Sequence, residues 1–380
     1  MDNFKLVIPD IDYDLKDINF SSKELFIESF IEYIKFKEKR FQLSHYNSKF
    51  HKESLFQHVN FMLKKLVLFE DELSDREMEL LKILILFHDV GKLYTETLVN
   101  GYPSYRGHGI VSSHIFREFT RNNEQMKKLF NLDDKIIYVF SYIIRNHFMI
   151  TKMKETKRMI VMNNLGKYSK LLTYLIIVDR LGRISNDIKD EKEEIKNLKE
   201  KFKYNDNELD VQINWKFDYN DLVSYINNND KVFISFVGTQ GVGKTTMRNK
   251  IIEQLNTDKH IFVFNFDELR ENGIDISKGY YEKLREIEEN YVIILDVTNI
   301  NEKHIRRNRI FEIVKKSDKS IFINLDNRKF HLGRRNDRIN IPLDVLVFYD
   351  GMFTPSWLYS ELRNNKVVHF HIYKKGGSII

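Results

Sequence analysis

The chain of 380 residues contains no cysteine. Disulfides, thiolate metal ligands and cysteine nucleophiles are therefore excluded, and any metal must sit on histidine, aspartate or glutamate. Proline is scarce at 4 residues and glycine at 15, so turns are poorly punctuated and the glycines crowded at Gly238, Gly241 and Gly243 need a reason. No apolar run reaches membrane-spanning length, so no membrane is expected as a partner. The first residues, MDNFKLVIPDIDYDLKD, are acidic and lack an apolar segment, so no secretory signal is expected and the cytoplasm is the expected location. Neither sign of charge dominates. Lys and Arg number 61 against 55 Asp and Glu, a net +6 that suits a polyanionic partner without requiring one.

What is present divides into two patterns. From about 22 to 204 apolar residues recur at three- and four-residue spacing, as in SKELFIESFIEYIKFKEKR, REMELLKILILFHDVGKLY and KLLTYLIIVDRLGRI. The tract NDIKDEKEEIKNLKEKFKYNDNE (186–208) reads as a solvated helix leading into a linker. Beyond it, KVFISFV (231–237), HIFVFNF (260–266), YVIILDV (291–297) and SIFINL (320–325) are short, apolar and β-branched or aromatic, and they alternate with charged helical segments. Buried parallel strands with helical crossovers produce that alternation. The expected fold is an all-α bundle over 1–205, a linker over 206–230 and an α/β domain with a parallel sheet over 231–380.

GTQGVGKT fits G-x-x-x-x-G-K-[ST] as Gly238, Gly243, Lys244 and Thr245, with Gly241 and Thr246 in the same stretch. Glycines let the backbone curl so that successive N–H groups point at one phosphate chain, and the following helix adds free N–H groups and its dipole. Lys244 is expected on the β- and γ-phosphates and Thr245 on Mg²⁺, which makes ATP or another NTP the expected ligand. A chance glycine-rich turn is the alternative, but the required strand and helix flank the motif. NFDELR puts Asp267 and Arg270 three apart at a strand's carboxyl end; they read equally as an acceptor base with a phosphate clamp or as a helix cap with a solvated arginine. Asp296 ends the next apolar strand and is expected to orient magnesium or the acceptor, with an ordinary turn through Thr298 and Asn299 as the alternative. HLGRRNDRINIP clusters Arg334, Arg335 and Arg338, either surface charge or a group closing over the γ-phosphate.

Taken in order, Gx4GK[ST], N-x-D-[DE]-x-R, D-x-T-N-x-N and an arginine-rich segment before IP-x-x-VL resemble the 5′-hydroxyl polynucleotide kinases over about residues 231–356. The resemblance implies Asp267 as general base on a 5′-OH and Arg270 on the acceptor's adjacent phosphate. It also implies lid arginines on the ATP phosphates; Arg334 and Arg338 have the four-residue spacing of some members, and Arg335 competes with them.

The first half carries FHDVGKLY (87–94) with His88 and Asp89, preceded by His58 and followed by His108, His147 and Asp179. Imidazole and carboxylate ligands of this kind suit hard or borderline divalent metals. Adjacent His and Asp cannot share a helix face, so both reach one centre only if the helix bends there or two metals lie side by side. A lone histidine is usually structural. The ordered set H…HD…GH…NH…D, however, resembles the HD-domain metal-dependent phosphohydrolases over about residues 45–185. The resemblance implies His58, His88, Asp89 and Asp179 as core ligands, with His108 and His147 sufficient for a second metal, so that one or two ions of Mn, Ni, Co, Fe or Zn are expected. Lys92 is a candidate for binding substrate phosphate, whereas His114 and His51 have no slot in the pattern.

An HD phosphohydrolase followed by a polynucleotide kinase resembles the bifunctional end-healing enzymes of RNA repair. That resemblance implies RNA or DNA ends as substrate: a 3′-phosphate or 2′,3′-cyclic phosphate is removed, a 5′-OH is phosphorylated, and a separate ligase acts downstream. Two alternatives are an HD nucleotide hydrolase regulated by an NTP-sensing P-loop domain and a nucleic-acid-binding module with vestigial sites.

Overall fold

The computed structural model describes residues 6–8, 11, 17–43, 52–184, 190–239, 241–273, 280, 287, 290–327, 342–375 and 378–379. The chain divides into two compact units, one of residues 1–209 with Ile341–Met352 and the other of Asp210–Asn340 with Phe353–Ile380.

The first unit is helical, as the spacing predicts. Its helices are α1 (Lys23–Phe41), α2 (Leu55–Lys65), α3 (Asp75–Phe87), the short α4 (Lys92–Thr95), α5 (His108–Asn122), α6 (Glu124–Leu129), α7 (Asp134–Asn146), α8 (Glu155–Leu165), α9 (Ser169–Leu181) and α10 (Glu191–Lys201). Local chemistry sets their starts. Ser54 with Gln57 and Ser74 with Glu77 form reciprocal capping boxes at α2 and α3, and Ser22 and Asp133 cap α1 and α7. The apolar stripe of α1 buries Phe26, Phe30 and Ile34. Phe30 meets Phe87 at 4.5 Å between ring centroids, and Phe87 meets Phe116 edge-on at 5.2 Å, so aromatic packing joins α1, α3 and α5. Helix α10 has no buried residue, in keeping with its charge pattern.

One element departs from the helical expectation. β1 (Thr97–Val99) and β2 (Tyr102–Ser104) form an antiparallel hairpin. Asn100 and Gly101 both take positive φ, 53° and 79°, which is the two-residue turn that an Asn-Gly pair favours.

The second unit is an α/β domain. Its sheet runs in the order β3 (Ile213–Asn214), β8 (Val367–Lys375), β7 (Lys319–Asn327), β4 (Lys231–Val237), β6 (Tyr291–Asp296) and β5 (His260–Asn265), with β9 (Ser378–Ile379) also paired to β8. All pairings but β8 with β9 are parallel. The four strands expected from apolar runs are β4 to β7, and β8 is a further one. Helices α11 (Tyr219–Asn227), α12 (Lys244–Gln254) and α13 (Phe266–Glu271) are followed by Glu302–Arg307 and Ile310–Lys316. Ile226, Met247 and Ile251 pack with Ile234, Phe236, Ile294, Ile323 and Phe370 into one buried cluster that makes α11 and α12 a layer on the sheet.

The segment after the arginine cluster does not stay with this sheet. Helix Leu343–Met352, which includes the VL of IP-x-x-VL, lies in the helical unit, where Asp350 is buried against α5.

Candidate functional site

In the helical unit, α3 ends at Phe87 and His88 is its C-cap. The following turn turns Asp89 away from the helical path, so neighbours that could not share a helix face both turn toward one place. Gly91 makes the turn tight. A Cβ there would lie 2.2 Å from the His108 carbonyl oxygen and 2.7 Å from the Ser112 nitrogen, so only glycine lets α5 start against the HDVGK turn. His58 comes from α2, Asp179 from the end of α9 and His147 from the C-cap of α7.

The structure brings all six ligand candidates together. One donor atom each from His58, His88, Asp89 and Asp179 lies within 4.8 Å of the others, and the same holds for Asp89, His108 and His147. Asp89 belongs to both groups. Asp179 Oδ1 stands 3.0 Å from His58 Nε2, and Asp89 Oδ2 stands 3.2 Å from His88 Nε2. Asp89 Oδ1 stands 3.1 Å from His108 Nε2 and 3.4 Å from His147 Nε2. All six residues are buried.

The orientation of the rings carries the chemistry. His58 Nδ1 lies 3.2 Å from the Gly182 carbonyl, His88 Nδ1 2.8 Å from that of Ile85, His108 Nδ1 2.8 Å from that of Tyr105, and His147 Nδ1 2.6 Å from that of Ile144. A carbonyl only accepts, so each Nδ1 donates, and in its neutral form such a ring turns its Nε2 lone pair inward. Inside, those lone pairs meet carboxylate oxygens, which are acceptors too. His88 Nε2 and Asp89 Oδ1 are buried without a hydrogen bond. Acceptors converging on acceptors fit a divalent cation, and backbone carbonyls fixing the far ring nitrogen are the usual support of metal-binding histidine.

Burial works against ionising Asp89 and Asp179. Even so, His88 in its charged form and Lys92 hold the Asp89 carboxyl well below the usual range, and Arg183 and the charged form of His58 do the same for Asp179. Lys92 Nζ stands 2.6 Å from Asp89 Oδ2, at the centre's edge and reachable by an anion. His114 is a different case: its Nδ1 faces Asp350 and not the ligand groups, and burial pushes its pKa down. His51 lies outside the described residues. Sequence reasoning missed Glu53, whose Oε1 is 3.6 Å from His58 Nδ1, and Arg183, 2.5 Å from Asp179. The i,i+4 spacing of Asp179 and Arg183 at a helix end was a usable signal; for Glu53 there was none.

In the α/β unit, β4 runs into the glycine turn and α12 leaves it. Gly241 and Gly243 take φ of 71° and 98°, which a β-carbon would strain, and a Cβ on Gly238 would lie 2.7 Å from the Leu325 carbonyl oxygen. Lys244 Nζ donates to the carbonyls of Thr239 at 2.7 Å and Gly238 at 3.2 Å, its amine lying back over the loop. Thr245 Oγ1 donates to Asp296 Oδ2 at 2.9 Å, while Thr246 faces solvent. Burial pushes the Asp296 carboxyl up, against the pull of Thr245, Arg248 and Lys244. Arg248, one turn beyond Lys244, approaches Asp296 at 3.2 Å and Glu268 at 3.0 Å, and Asn265 donates to Asp296 at 3.3 Å. Arg248 and Asn265 are therefore parts of this site that the motif did not name. Asn299 is structural: its carbonyl accepts from Gly238 N at 3.1 Å, tying the loop after β6 to the phosphate loop. Asp267 and Arg270 fall on α13, at the carboxyl end of β5, and their side chains lie outside what is described. Arg334, Arg335 and Arg338 also lie outside the described residues.

A family model described as an AAA domain matches residues 230–323, from the start of β4 into β7. No curated protein and no solved structure matches the chain. The second unit thus contains a P-loop, AAA-like nucleotide-binding domain, and its loop, lysine, threonine and strand-end aspartate imply nucleotide with Mg²⁺. Among the described residues no helix is long and apolar enough to cross a membrane.

Proposed function

We propose that the chain heals nucleic-acid ends, phosphorylating 5′-OH ends with ATP in the α/β unit and removing 3′-phosphate or 2′,3′-cyclic phosphate in the helical unit. The observation that carries the hydrolase half is the set of four histidines that donate Nδ1 to backbone carbonyls and aim Nε2 at two carboxylates. His58, His88, Asp89 and Asp179 would hold one divalent ion, and Asp89, His108 and His147 a second. Such ions supply Lewis acidity and lower the pKa of a bound water. Lys92 receives the substrate phosphate, whose charge replaces Asp89 as its partner.

For the kinase half, the sheet order supports phosphoryl transfer. The phosphate-loop strand β4 pairs directly with β6, which carries Asp296. Strand β5 lies beyond β6, so α13 with Asp267 and Arg270 starts at the sheet's carboxyl edge, on the side where an acceptor would lie. In this reading the acceptor 5′-oxygen attacks the γ-phosphorus, the bond to the bridging β–γ oxygen breaks, and Asp267 takes the hydroxyl proton. Lys244 and Arg270 hold phosphates on either side, and Arg334, Arg335 or Arg338 meets the charge that develops on the γ-phosphoryl group.

Transfer of label from γ-labelled ATP to a short 5′-OH RNA tests this, with Asp267→Ala beside the wild type. Labelled RNA that vanishes in the variant is expected. The AAA match favours a second reading, a phosphohydrolase regulated by an NTP-binding domain. It requires ATP binding or turnover indifferent to 5′-OH ends, so label that never reaches RNA or DNA would select it.

A further inference from the structure

Helix Leu343–Met352 belongs to the helical unit, although the chain on both sides of Ile341–Met352 belongs to the other. Its last turn is fastened to α5 and α7. The Asp350 carboxylate, nearly inaccessible, lies 2.5 Å from His114 Nδ1 and 2.5 Å from the Arg117 guanidinium, both on α5. Arg117 also donates to the Asp350 carbonyl. Ser113 of α5 donates to the Gly351 carbonyl at 3.2 Å, and Arg145 of α7 donates to the Met352 carbonyl at 2.6 Å. The helix backbone lies directly on α5, since a Cβ on Gly351 would come within 2.2 Å of the Ile110 carbonyl oxygen.

These two helices carry one ligand group. Helix α5 begins with His108 and α7 is capped by His147, the partners of Asp89 in that group. The helices themselves touch through Ser113 and Ser141 at 2.7 Å, and a Cβ on Gly109 would stand 3.1 Å from the Arg145 carbonyl oxygen. A helix that grips both therefore fixes how far apart His108 and His147 stand. His58, His88 and Asp179 are carried by other helices.

Resting on the phosphohydrolase reading above, we infer that Asp350 is a positioning residue of that metal site: the late helix is a brace that holds α5 against α7 and sets the His108–His147 half of the centre. The hydrolase half is then not encoded by residues 1–209 alone. Misorienting a metal ligand through its supporting contacts typically costs about ten- to a hundredfold in affinity, which sets the size of the expected effect.

The test is a Mn²⁺ titration of the full chain, with His58→Ala and His108→Ala as references for the two groups and ATP binding as the control for the α/β unit. The wild type is expected to bind two ions. Asp350→Ala should reproduce the deficit of His108→Ala, weakening one ion by about ten- to a hundredfold, while the ion lost in His58→Ala stays within about twofold; Asp350→Asn should fall between. If Asp350→Ala does not fold, Asp350→Asn, which keeps the side chain's size and an acceptor oxygen, carries the same comparison. Equal weakening of both ions, no weakening, or a single ion that ignores His108→Ala would each overturn the inference. Mn²⁺ binding that ignores both histidine references would instead remove the phosphohydrolase reading itself.

Discussion

Thr245 Oγ1 donates to Asp296 Oδ2 across 2.9 Å, joining the first turn of the phosphate-loop helix to the end of the neighbouring strand. Sheet pairing makes the meeting: β4 and β6 run in register from Lys231 opposite Tyr291 to Ser235 opposite Leu295. Hydroxyl and carboxylate oxygens side by side are suitable partners for Mg²⁺, which otherwise keeps water and phosphate oxygens. Asp296→Asn preserves size and can still accept from Thr245, yet removes the charge. On the proposed kinase reading, phosphoryl transfer should fall about a hundredfold, with the Mg²⁺ requirement raised and Mg²⁺-free nucleotide binding little changed. Nucleotide titrations with and without Mg²⁺ check this, and an unaltered Mg²⁺ dependence would remove Asp296 from the assignment.

Asp89 is the one residue common to both candidate ligand groups. Asp89→Ala should therefore strip all tightly held divalent metal, whereas His108→Ala should strip part of it and leave the set of His58, His88 and Asp179 with Asp89. Elemental analysis of purified full-length protein reads the difference directly. A full metal complement in Asp89→Ala would be fatal to the shared-ligand geometry. ATP binding, which rests on the other unit, should be unchanged in both variants.

Much of this architecture was legible in the sequence because the signals are local. Three- and four-residue apolar spacing announces the helices, apolar runs announce buried strands, and Gly238 to Thr245 carries its own flanking context. The ligand set was legible only as an ordered pattern; what converges it is tertiary, namely the end of α3 at Phe87 and the close approach permitted by Gly91. The hairpin at Thr97–Ser104 was signalled by Asn100-Gly101 inside a helical context that hid it. Strand β8 was hidden by polarity. His369 and His371 alternate with Phe370 and Ile372, yet both histidines are buried by partners distant in sequence. The return of Leu343–Met352 to the helical unit had no local signal, since its buried Asp350 reads as polar until Arg117 is known to face it.

Phe148 follows the candidate ligand His147, remains 37% exposed, and sets its ring 5.6 Å from that of His108. Lys152 Nζ lies over the same ring at 4.1 Å, so a face of it already receives a cation. If the proposed phosphohydrolase reading holds, an exposed aromatic beside that centre is a surface on which a terminal base would stack, worth roughly 1–3 kcal/mol per base. Phe148→Ala should raise KM for 3′-phosphorylated oligonucleotides by about tenfold, leave kcat within about twofold, and spare glycerol phosphate, which has no base. Phe148→Trp should restore the KM. Equal losses on both substrates would assign Phe148 to packing instead.

His369 gives the α/β unit a pH dependence whose sign follows from its bonds. It is buried in β8, with Nε2 3.0 Å from the Leu362 carbonyl and Nδ1 2.9 Å from Ser356 Oγ. The carbonyl only accepts, so Nε2 donates, Nδ1 accepts from the serine hydroxyl, and the neutral ring is satisfied. Burial pushes its pKa down to about 4, against the opposing pull of the Leu362 carbonyl. An unfolded histidine titrates near 6.5, so between about pH 6.5 and 4 the unfolded chain binds the extra proton. Stability contributed by the neutral ring is thus complete above that window and lost as pH falls through it, to a total of about 3 kcal/mol. Both tryptophans, Trp215 and Trp357, lie in this unit, and Trp357 is fully buried, so their fluorescence follows its unfolding. Urea midpoints of wild type and His369→Gln at pH 7.5 and 4.5 should converge at the lower pH. Taking the difference between the two proteins cancels other titrating groups, including His304, whose pKa burial also lowers. Parallel pH dependences would show that His369 is not the group responsible.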